Sequence, residues 1–322
     1  MIPHNRVTYP EAAADAVHAV MESGQVSCGP HVAELEELWA GEAEAESAAM
    51  VSSGIAALRL AIMACTAPGA EVIIPAYACT ALICAVTTAG RCVALADIKD
   101  DLTLDPDSVG DMLSESTGAI ITVHTFGAEA DIDGLRGFGL PIIEDMAHGV
   151  WTQQADLAIT TFGPTKFLSG VGGGIVSGME SLVEPVKTRR HYGDQAPGFL
   201  YNDSPTEIEA VAAMNAIESL PFNILKRRQA ASFYDSQLGD SSSPYRYTIR
   251  VEDAPEAVRA MQEAGIGVEQ PVWDYRHTVK MPNGLPIAHR AFDTIISLPF
   301  FLDITRDEQR QVVEAIKGEA FE

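Results

Sequence analysis

The chain has 322 residues, 47% of them hydrophobic and 20% charged, which suits a soluble globular protein of about two domains with ample core. Its formal net charge of −24, from 45 acidic against 21 basic residues, argues against nucleic acid or anionic membrane surfaces as partners. The five cysteines (28, 65, 79, 84, 92) show no Cys-x-x-Cys pair and no metal-ligand spacing, so no metal is expected and the thiols are predicted to be reduced and mostly buried.

The N-terminal twenty residues lack a basic segment followed by an apolar run, so no signal peptide is indicated and a cytoplasmic location is expected. A helix is predicted over 10–23, and the Ser27-Cys28-Gly29-Pro30 turn breaks the pattern before a second helix over about 31–41, where Val32, Leu35, Leu38 and Trp39 recur at helical spacing. Ala48–Val51 reads as a short strand, followed by Ser52-Ser53-Gly54 and a helix carrying Ile55, Leu58, Ile62 and Cys65. The apolar window 48–67 contains Arg59 and several serines, so it reads as strand, turn and helix and not as a membrane span. Strand, Ser-Ser-Gly, helix is a good anion site, because a helix N-terminus offers free amides and the glycine allows close approach. Ordinary serine capping explains the same letters.

Further strands are predicted at 71–74, 92–98 and 118–124, with helices through 81–86 and from Asp105-Pro106, and a turn at Phe126-Gly127. This alternation, about seven strands up to Ser177, argues for βαβ units in an α/β fold with a mostly parallel sheet. Past Pro205 one long helix is expected over 206–237. A smaller α+β segment follows, with a strand at 246–251, a helix at 255–264, a loop with Trp273 and His277, and a last helix from Arg306. Gly239–Pro244 is the most linker-like stretch. The expected division is a large α/β domain over 1–220 and a small α+β domain over 221–322. Two basic clusters, Lys187-Thr188-Arg189-Arg190 and Lys226-Arg227-Arg228, read as solvated helix faces or as anion sites.

The richest stretch is Pro141–Gly174. Pro141-Ile142-Ile143 ends on Glu144 and Asp145, and a second apolar run, 156–161, leads to a turn bearing Lys166. An acid just past one strand and a lysine just past another lie where open α/β sheets bind ligands. Such a pair is what pyridoxal 5′-phosphate (PLP) needs, an amine for a Schiff base and an anion facing the pyridine nitrogen. The same letters also suit a buried Asp–Lys ion pair.

Taken together, Gly29-Pro30, Ser52-Ser53-Gly54 with Ala56-Ala57-Leu58, Glu71–Pro75, Val123-His124-Thr125-Phe126-Gly127, Ile143-Glu144-Asp145, Phe162–Lys166 with Gly172-Gly173-Gly174, Tyr201-Asn202 with Glu207, Gly265-Ile266, His277 and Ser297-Leu298-Pro299 follow in an order that resembles the DegT/StrS sugar-nucleotide aminotransferases. The resemblance covers nearly the whole chain and implies PLP-dependent transferase fold type I. It implies Lys166 as the Schiff-base lysine, Asp145 at the pyridine nitrogen, Ser53, Gly54 and Thr161 at the phosphate, and His148 near the phenolic oxygen. Asn202 would reach the partner's site in a homodimer with shared active sites. The sequence departs from the family where Cys79, with Tyr77 nearby, stands in place of an aromatic ring stacker. Ile55 replaces a hydroxyl residue and leaves only its amide for the phosphate. Ser204 stands at a common arginine position, and 149–155 is short. The implied reaction moves an amino group from an amino acid, expected to be glutamate or glutamine, to a keto-sugar nucleotide. The departures keep open a PLP enzyme acting on a non-sugar ketone or amino acid, and a non-catalytic binding protein of the same fold.

Overall fold

The computed structural model describes residues 1–27, 29–149, 152–191, 201–239, 245–272 and 281–319. Helices α1 (Glu11–Ser23) and α2 (Pro30–Glu42) precede strand β1 (Ser47–Val51). Then come α3 (Gly54–Cys65), β2 (Glu71–Pro75), α4 (Ala81–Thr88), β3 (Cys92–Ala96), α5 (Pro106–Met112), β4 (Thr117–Val123), α6 (Ile132–Arg136), β5 (Ile142–Asp145), β6 (Leu157–Thr161), β7 (Gly174–Gly178) and α7 (Glu180–Arg189). The chain continues with α8 (Glu207–Glu218), α9 (Leu220–Leu238), β8 (Thr248–Arg250), α10 (Ala254–Glu263), α11 (Pro286–Thr294), β9 (Ile295–Ser297) and α12 (Arg306–Glu319).

Seven strands form one sheet in the order β1-β7-β6-β5-β4-β2-β3, in which β7 runs antiparallel to both its neighbours and the other pairs are parallel. The unbroken apolar strands follow from burial on both faces, as parallel sheets require. Ile121 and Ile143 face one core, shared with α3, α4 and α7. Their neighbours Ile120 and Ile142 face another, shared with α5 and α6, while α2 and α8 cover the β1–β7–β6 end. Because successive side chains alternate across a strand, Glu144 and Asp145 point to opposite faces.

A separate core gathers Tyr234, Tyr247, Met261, Leu298 and Val312 around the β8–β9 pair, and Ile2 from the N-terminus joins it. α11 packs elsewhere: its Ala288, Ala291 and Phe292 belong to the core under the large sheet. Tyr245, Val272, Leu285 and Ile295 join it there, so the C-terminal part is keyed to the sheet at several points.

Four expectations change. The single helix over 206–237 is two, interrupted at Ser219, because Pro221 has no N–H to donate to a carbonyl four residues back and its ring crowds that carbonyl. The strand expected over 246–251 shortens to three residues, the length of its partner β9. Of the four described cysteines, Cys79 and Cys92 are exposed and only Cys65 and Cys84 are partly covered, so the thiols are not mostly buried. The basic residues of α7 are not a solvated face. Lys187 reaches Ser47 and Glu184, Arg189 donates to the Met63 carbonyl, and Arg190 pairs with Glu36 and donates to the Met50 carbonyl. Cys28, Trp273, His277 and most of the linker-like stretch lie outside the described residues.

Candidate active site

Three strands, β4, β5 and β6, deliver their C-terminal ends to one place, and the N-termini of α3 and α4 meet them there. The result is a cavity of about 250 Å³. Asp145, the last residue of β5, sits in register between Val123 and Ile159 and is 5% exposed. Its Oδ1 accepts the Ala147 N–H at 2.9 Å. Burial pushes its carboxyl above the ordinary value, opposed by the Ala147 amide and by the charge of Lys166. A buried acid held in this way is poised to face a cation that the chain itself supplies only in part.

Glu144 has another occupation. Its Oε2 accepts the Gln154 and Ala155 amides at 2.8 and 2.9 Å, and its Oε1 lies 3.3 Å from His124 Nε2. His124 Nδ1 accepts the Ala130 N–H at 3.1 Å, which leaves the proton on Nε2, donated to Glu144. This fully buried pair holds the Gln154 and Ala155 amides and is not among the residues that line the cavity. Of the short 149–155 segment, residues 150 and 151 lie outside the described residues.

His148 lines the cavity in a stack of three rings. Phe126 lies 5.6 Å from it at 23° and Tyr245 4.5 Å at 14°. The Phe126 N–H donates to Nδ1 at 3.3 Å, so the neutral ring carries its proton on Nε2. Burial first, then the charges of Lys166 and Arg246, hold the imidazole well below its usual pKa. Phe126 itself adopts a left-handed backbone, φ 52°, uncommon for a side chain of that size. The strain is compatible with a residue fixed by its packing, since Tyr77 and Phe126 meet edge to face.

Lys166 stands five residues past the end of β6 and reaches the same cavity. Its loop turns back on itself through the amides of Lys166, Gly170 and Gly172, which donate to Gly163 and Phe162 carbonyls at 3.0–3.2 Å. The triple glycine then starts β7 against the Ser53 loop. A Cβ on Gly174 would sit 2.5 Å from the Ser53 carbonyl oxygen and 2.8 Å from the Gly54 nitrogen. Gly54 in turn abuts Thr161, whose Cβ would be 2.9 Å from a Cβ placed there. Ser53 caps α3 by accepting the Ala56 N–H at 3.2 Å, which leaves the Gly54 and Ile55 amides at the helix N-terminus without intrahelical partners. This backbone cradle, with the Ser53 and Thr161 hydroxyls beside it, fits a phosphate dianion. Ile55, 40% exposed, can contribute only its amide.

Two expected residues stand apart from this group. Cys79 lines the cavity, whereas Tyr77 is turned into the core, 1% exposed and packed edge-on against Phe292 at 4.8 Å. Asn202 is exposed and outside its own chain's cavity, and its Oδ1 accepts the Ser204 N–H at 3.4 Å. Glu207, the motif residue that follows it, caps α2 of its own chain, accepting amides of Gly29 and His31 at 3.0 and 2.8 Å. Gly29 is required there, because a Cβ would lie 2.7 Å from that carboxylate.

The sequence reading passed over Val272, Tyr245 and Arg246, brought to the site from the C-terminal part. Val272 lines the cavity, Tyr245 stacks on His148, and the Arg246 guanidinium lies 5.7 Å from the Phe126 ring. No sequence spacing links these residues to Asp145. Arg227, from the second basic cluster, is buried, donates to the Tyr245 carbonyl at 2.9 Å and packs over Phe167. Burial lowers its pKa to about 10, and its role is to hold this wall of the site. Among the described residues, no group of three or more His, Cys, Asp or Glu is placed to hold a metal ion, and no helix is long and apolar enough to cross a membrane.

The profile of the DegT/DnrJ/EryC1/StrS aminotransferase family matches residues 8–317. Among solved structures, DesV of S. venezuelae, in complex with a ketimine intermediate, is 26% identical, with a TM-score of 0.85 over 96% of this chain and 94% of that one. CalS13 of Micromonospora echinospora, a sugar aminotransferase, is 23% identical, with a TM-score of 0.88 over 99% and 100% of the two chains. NtdA of Bacillus subtilis, solved with pyridoxamine phosphate (PMP) as bound cofactor, is 21% identical, with a TM-score of 0.85 over 95% and 81%. The architecture is that of the fold type I PLP-dependent aminotransferases.

Proposed function

Since the chain belongs to the DegT/DnrJ/EryC1/StrS aminotransferase family, we propose that it transfers an amino group from an amino acid, glutamate in the first instance, to a keto-sugar nucleotide, in the cytoplasm and as a homodimer. Its cofactor is PLP. The single observation that carries the reading is the convergence of Asp145, Lys166 and the glycine-backed Ser53–Gly54 cradle on one cavity. Acid, amine and phosphate site are the three groups that the cofactor's ring nitrogen, aldehyde and phosphate require. The sugar part of the reading is supported by the description of CalS13 as a sugar aminotransferase.

Each residue then has a task. The amides of Gly54 and Ile55 and the hydroxyls of Ser53 and Thr161 bind the phosphate and fix the orientation of everything else. Asp145, buried and acidic, would face the cofactor's ring nitrogen and favour its protonated form. His148, neutral and stacked with Phe126 and Tyr245, would offer its Nε2–H to the cofactor's ring oxygen. Lys166 Nζ is the nucleophile that holds the cofactor. Released from that bond by a substrate amine, the same Nζ would be placed to take a proton from the substrate carbon. When bound, PLP supplies an electron sink for the pair left behind by that proton.

A half-reaction screen tests the substrate. Glutamate should bleach the absorbance of the loaded enzyme, and keto-sugar nucleotides should restore it where simple keto acids do not. Recovery with keto acids alone would assign the enzyme to a non-sugar ketone, and no response to any amino acid would remove the aminotransferase reading.

A further inference from the structure

Arg59 is an arginine in the middle of a helix whose neighbours Leu58 and Leu60 are each 2% exposed. The guanidinium, itself 7% exposed as a residue, does not point at the cavity. It ion-pairs with Asp203, 6% exposed, and lies over the Tyr201 ring with Cζ 3.8 Å from the centroid. A planar cation suits both contacts, one to a carboxylate and one to an aromatic face. The two residues it grips flank Asn202.

The backbone completes the arrangement. The Asp203 carbonyl accepts the Ser52 N–H at 2.9 Å, one residue before the phosphate cradle, and the Asp203 N–H donates to the Arg190 carbonyl at 3.0 Å. Arg190 is itself paired with Glu36 and donates to the Met50 carbonyl. On one side of Asn202 a ring is stacked, and on the other a carboxylate and two backbone groups are fixed. Asn202 is left exposed between them, outside the cavity of its own chain. A buried arginine with a carboxylate partner is a costly way to close a core, and an apolar side chain would serve that purpose as well.

We propose that Arg59 is a positioning residue for the active site of the neighbouring subunit: it clamps Tyr201 and Asp203 so that Asn202 is presented, already ordered, to a second copy of this chain. This inference rests on the reading of Asn202 as a residue that acts in the partner's site. The Ser52 N–H that Asp203 accepts precedes the Gly54 and Ile55 amides of the cradle, so the segment is anchored beside the phosphate site of its own chain and not through it.

Complementation sorts the possibilities. If Arg59 works through its own Asn202, an Arg59→Met chain is defective only in what it gives its partner. Refolded together with Lys166→Ala, it forms mixed dimers with one intact site. Random pairing makes half the dimers mixed, so activity should return to about a quarter of wild type. Refolded with Asn202→Ala it should return nothing, because both lesions then fall on the donated segment. Arg59→Lys, which keeps the charge but loses the planar stack, should retain intermediate activity. The double variant Arg59→Met with Asp203→Asn removes the stranded buried carboxylate and covers the case in which the single variant fails to fold. Failure of Arg59→Met to complement Lys166→Ala, where Asn202→Ala does complement it, would place Arg59's role in its own site and overturn the proposal. If Asn202→Ala and Lys166→Ala do not complement although mixed dimers form, the shared-site reading falls and the proposal with it. The clamp is then judged by amide exchange, a separate readout. The Ser52 and Asp203 amides of the Arg59→Met protein should exchange about tenfold faster or more if the clamp holds that segment, and unchanged exchange would show that no clamp exists.

Discussion

Gly174→Ala puts the strongest demand on the phosphate cradle. The added methyl would lie 2.5 Å from the Ser53 carbonyl oxygen, 2.6 Å from its carbon and 2.8 Å from the Gly54 nitrogen. All three are backbone atoms, so no side chain can swing aside. Non-bonded Cβ contacts below 3.0 Å essentially do not occur, so the loop must retreat by at least about half an ångström, the tolerance within which a preorganised site works. One amide bond to a phosphate oxygen, a hydrogen bond to a charged group, contributes about 1.5–3 kcal/mol. Its loss weakens PLP binding about ten- to a hundredfold, at 1.4 kcal/mol per factor of ten. Overpacking costs the fold a further ~1–3 kcal/mol, a Tm lower by a few degrees. The assay is absorbance titration of the apoprotein with PLP and, separately, with pyridoxal, which has no phosphate. PLP affinity should fall in the stated range while pyridoxal affinity stays put. Gly137→Ala, whose methyl would meet only the Gly134 carbonyl oxygen at 3.6 Å, should leave both unchanged. Equal losses for the two ligands, or a lowered Tm with PLP affinity intact, would refute the idea that Gly174 exists to seat the phosphate loop.

Three more outcomes are expected. Borohydride reduction of the yellow enzyme should fix cofactor to the peptide containing Lys166, and label on another lysine would displace Lys166 from its role. Asp145→Asn should lose most turnover, because the anion matters most when charge develops at the reacting carbon, yet it should stabilise the cofactor-free protein at neutral pH. Burial raises the Asp145 pKa, so the stability that goes with its protonated form is complete below the ordinary carboxyl value and is lost as pH rises through the folded pKa. Melting curves of the two apoproteins should therefore converge as the pH falls toward the ordinary carboxyl range, and an Asn variant less stable at pH 7 would contradict this account. The depressed pKa of His148 has the opposite sign: the unfolded chain binds the proton first, so stability conferred by this group is complete above the ordinary value of 6.5 and declines below it. Nitrogen NMR should show neutral His148 with its proton on Nε2 at pH 6, and Arg246→Met, by removing a nearby positive charge, should raise its pKa. A ring that titrates at the ordinary value in the wild type would overturn the stacked, neutral assignment.

The parts of this molecule that were legible in the sequence share one property, a signal contained within ten or so residues. The strand runs show as unbroken apolar stretches because the sheet is covered on both faces, and each ends where a chemical residue follows: Asp145 closing β5, Thr161 closing β6, Lys166 just after it. Gly174 shows because backbone approaches backbone there, Gly54 because the Thr161 side chain abuts it, and Gly172 and Gly173 because their φ of 149° and 92° disfavours any side chain. The alternation of Glu144 and Asp145 was also visible in principle, since two adjacent strand residues cannot both enter one cavity.

What stayed hidden depends on contacts between distant segments. Tyr77 looked like a candidate cover for the cofactor ring, but Phe292, from α11, packs against it and draws it into the core. Only the folded chain shows that α11 packs there. Glu207 showed only as a motif residue after Asn202, and its carboxylate satisfies the orphan amides of α2, a helix far from it in the sequence. Arg59 is the case between. Its letters were informative, since a charge in the middle of Ala56-Ala57-Leu58-Arg59-Leu60-Ala61-Ile62 must find a buried partner. At first sight it served only to argue against a membrane span. Asking where its counter-ion comes from leads directly to Asp203, and through Asp203 to the segment that carries Asn202. An isolated charge in an otherwise apolar helix is therefore better read as one half of a tertiary contact, whose other half deserves a search among the acids of the chain before any function is assigned to either.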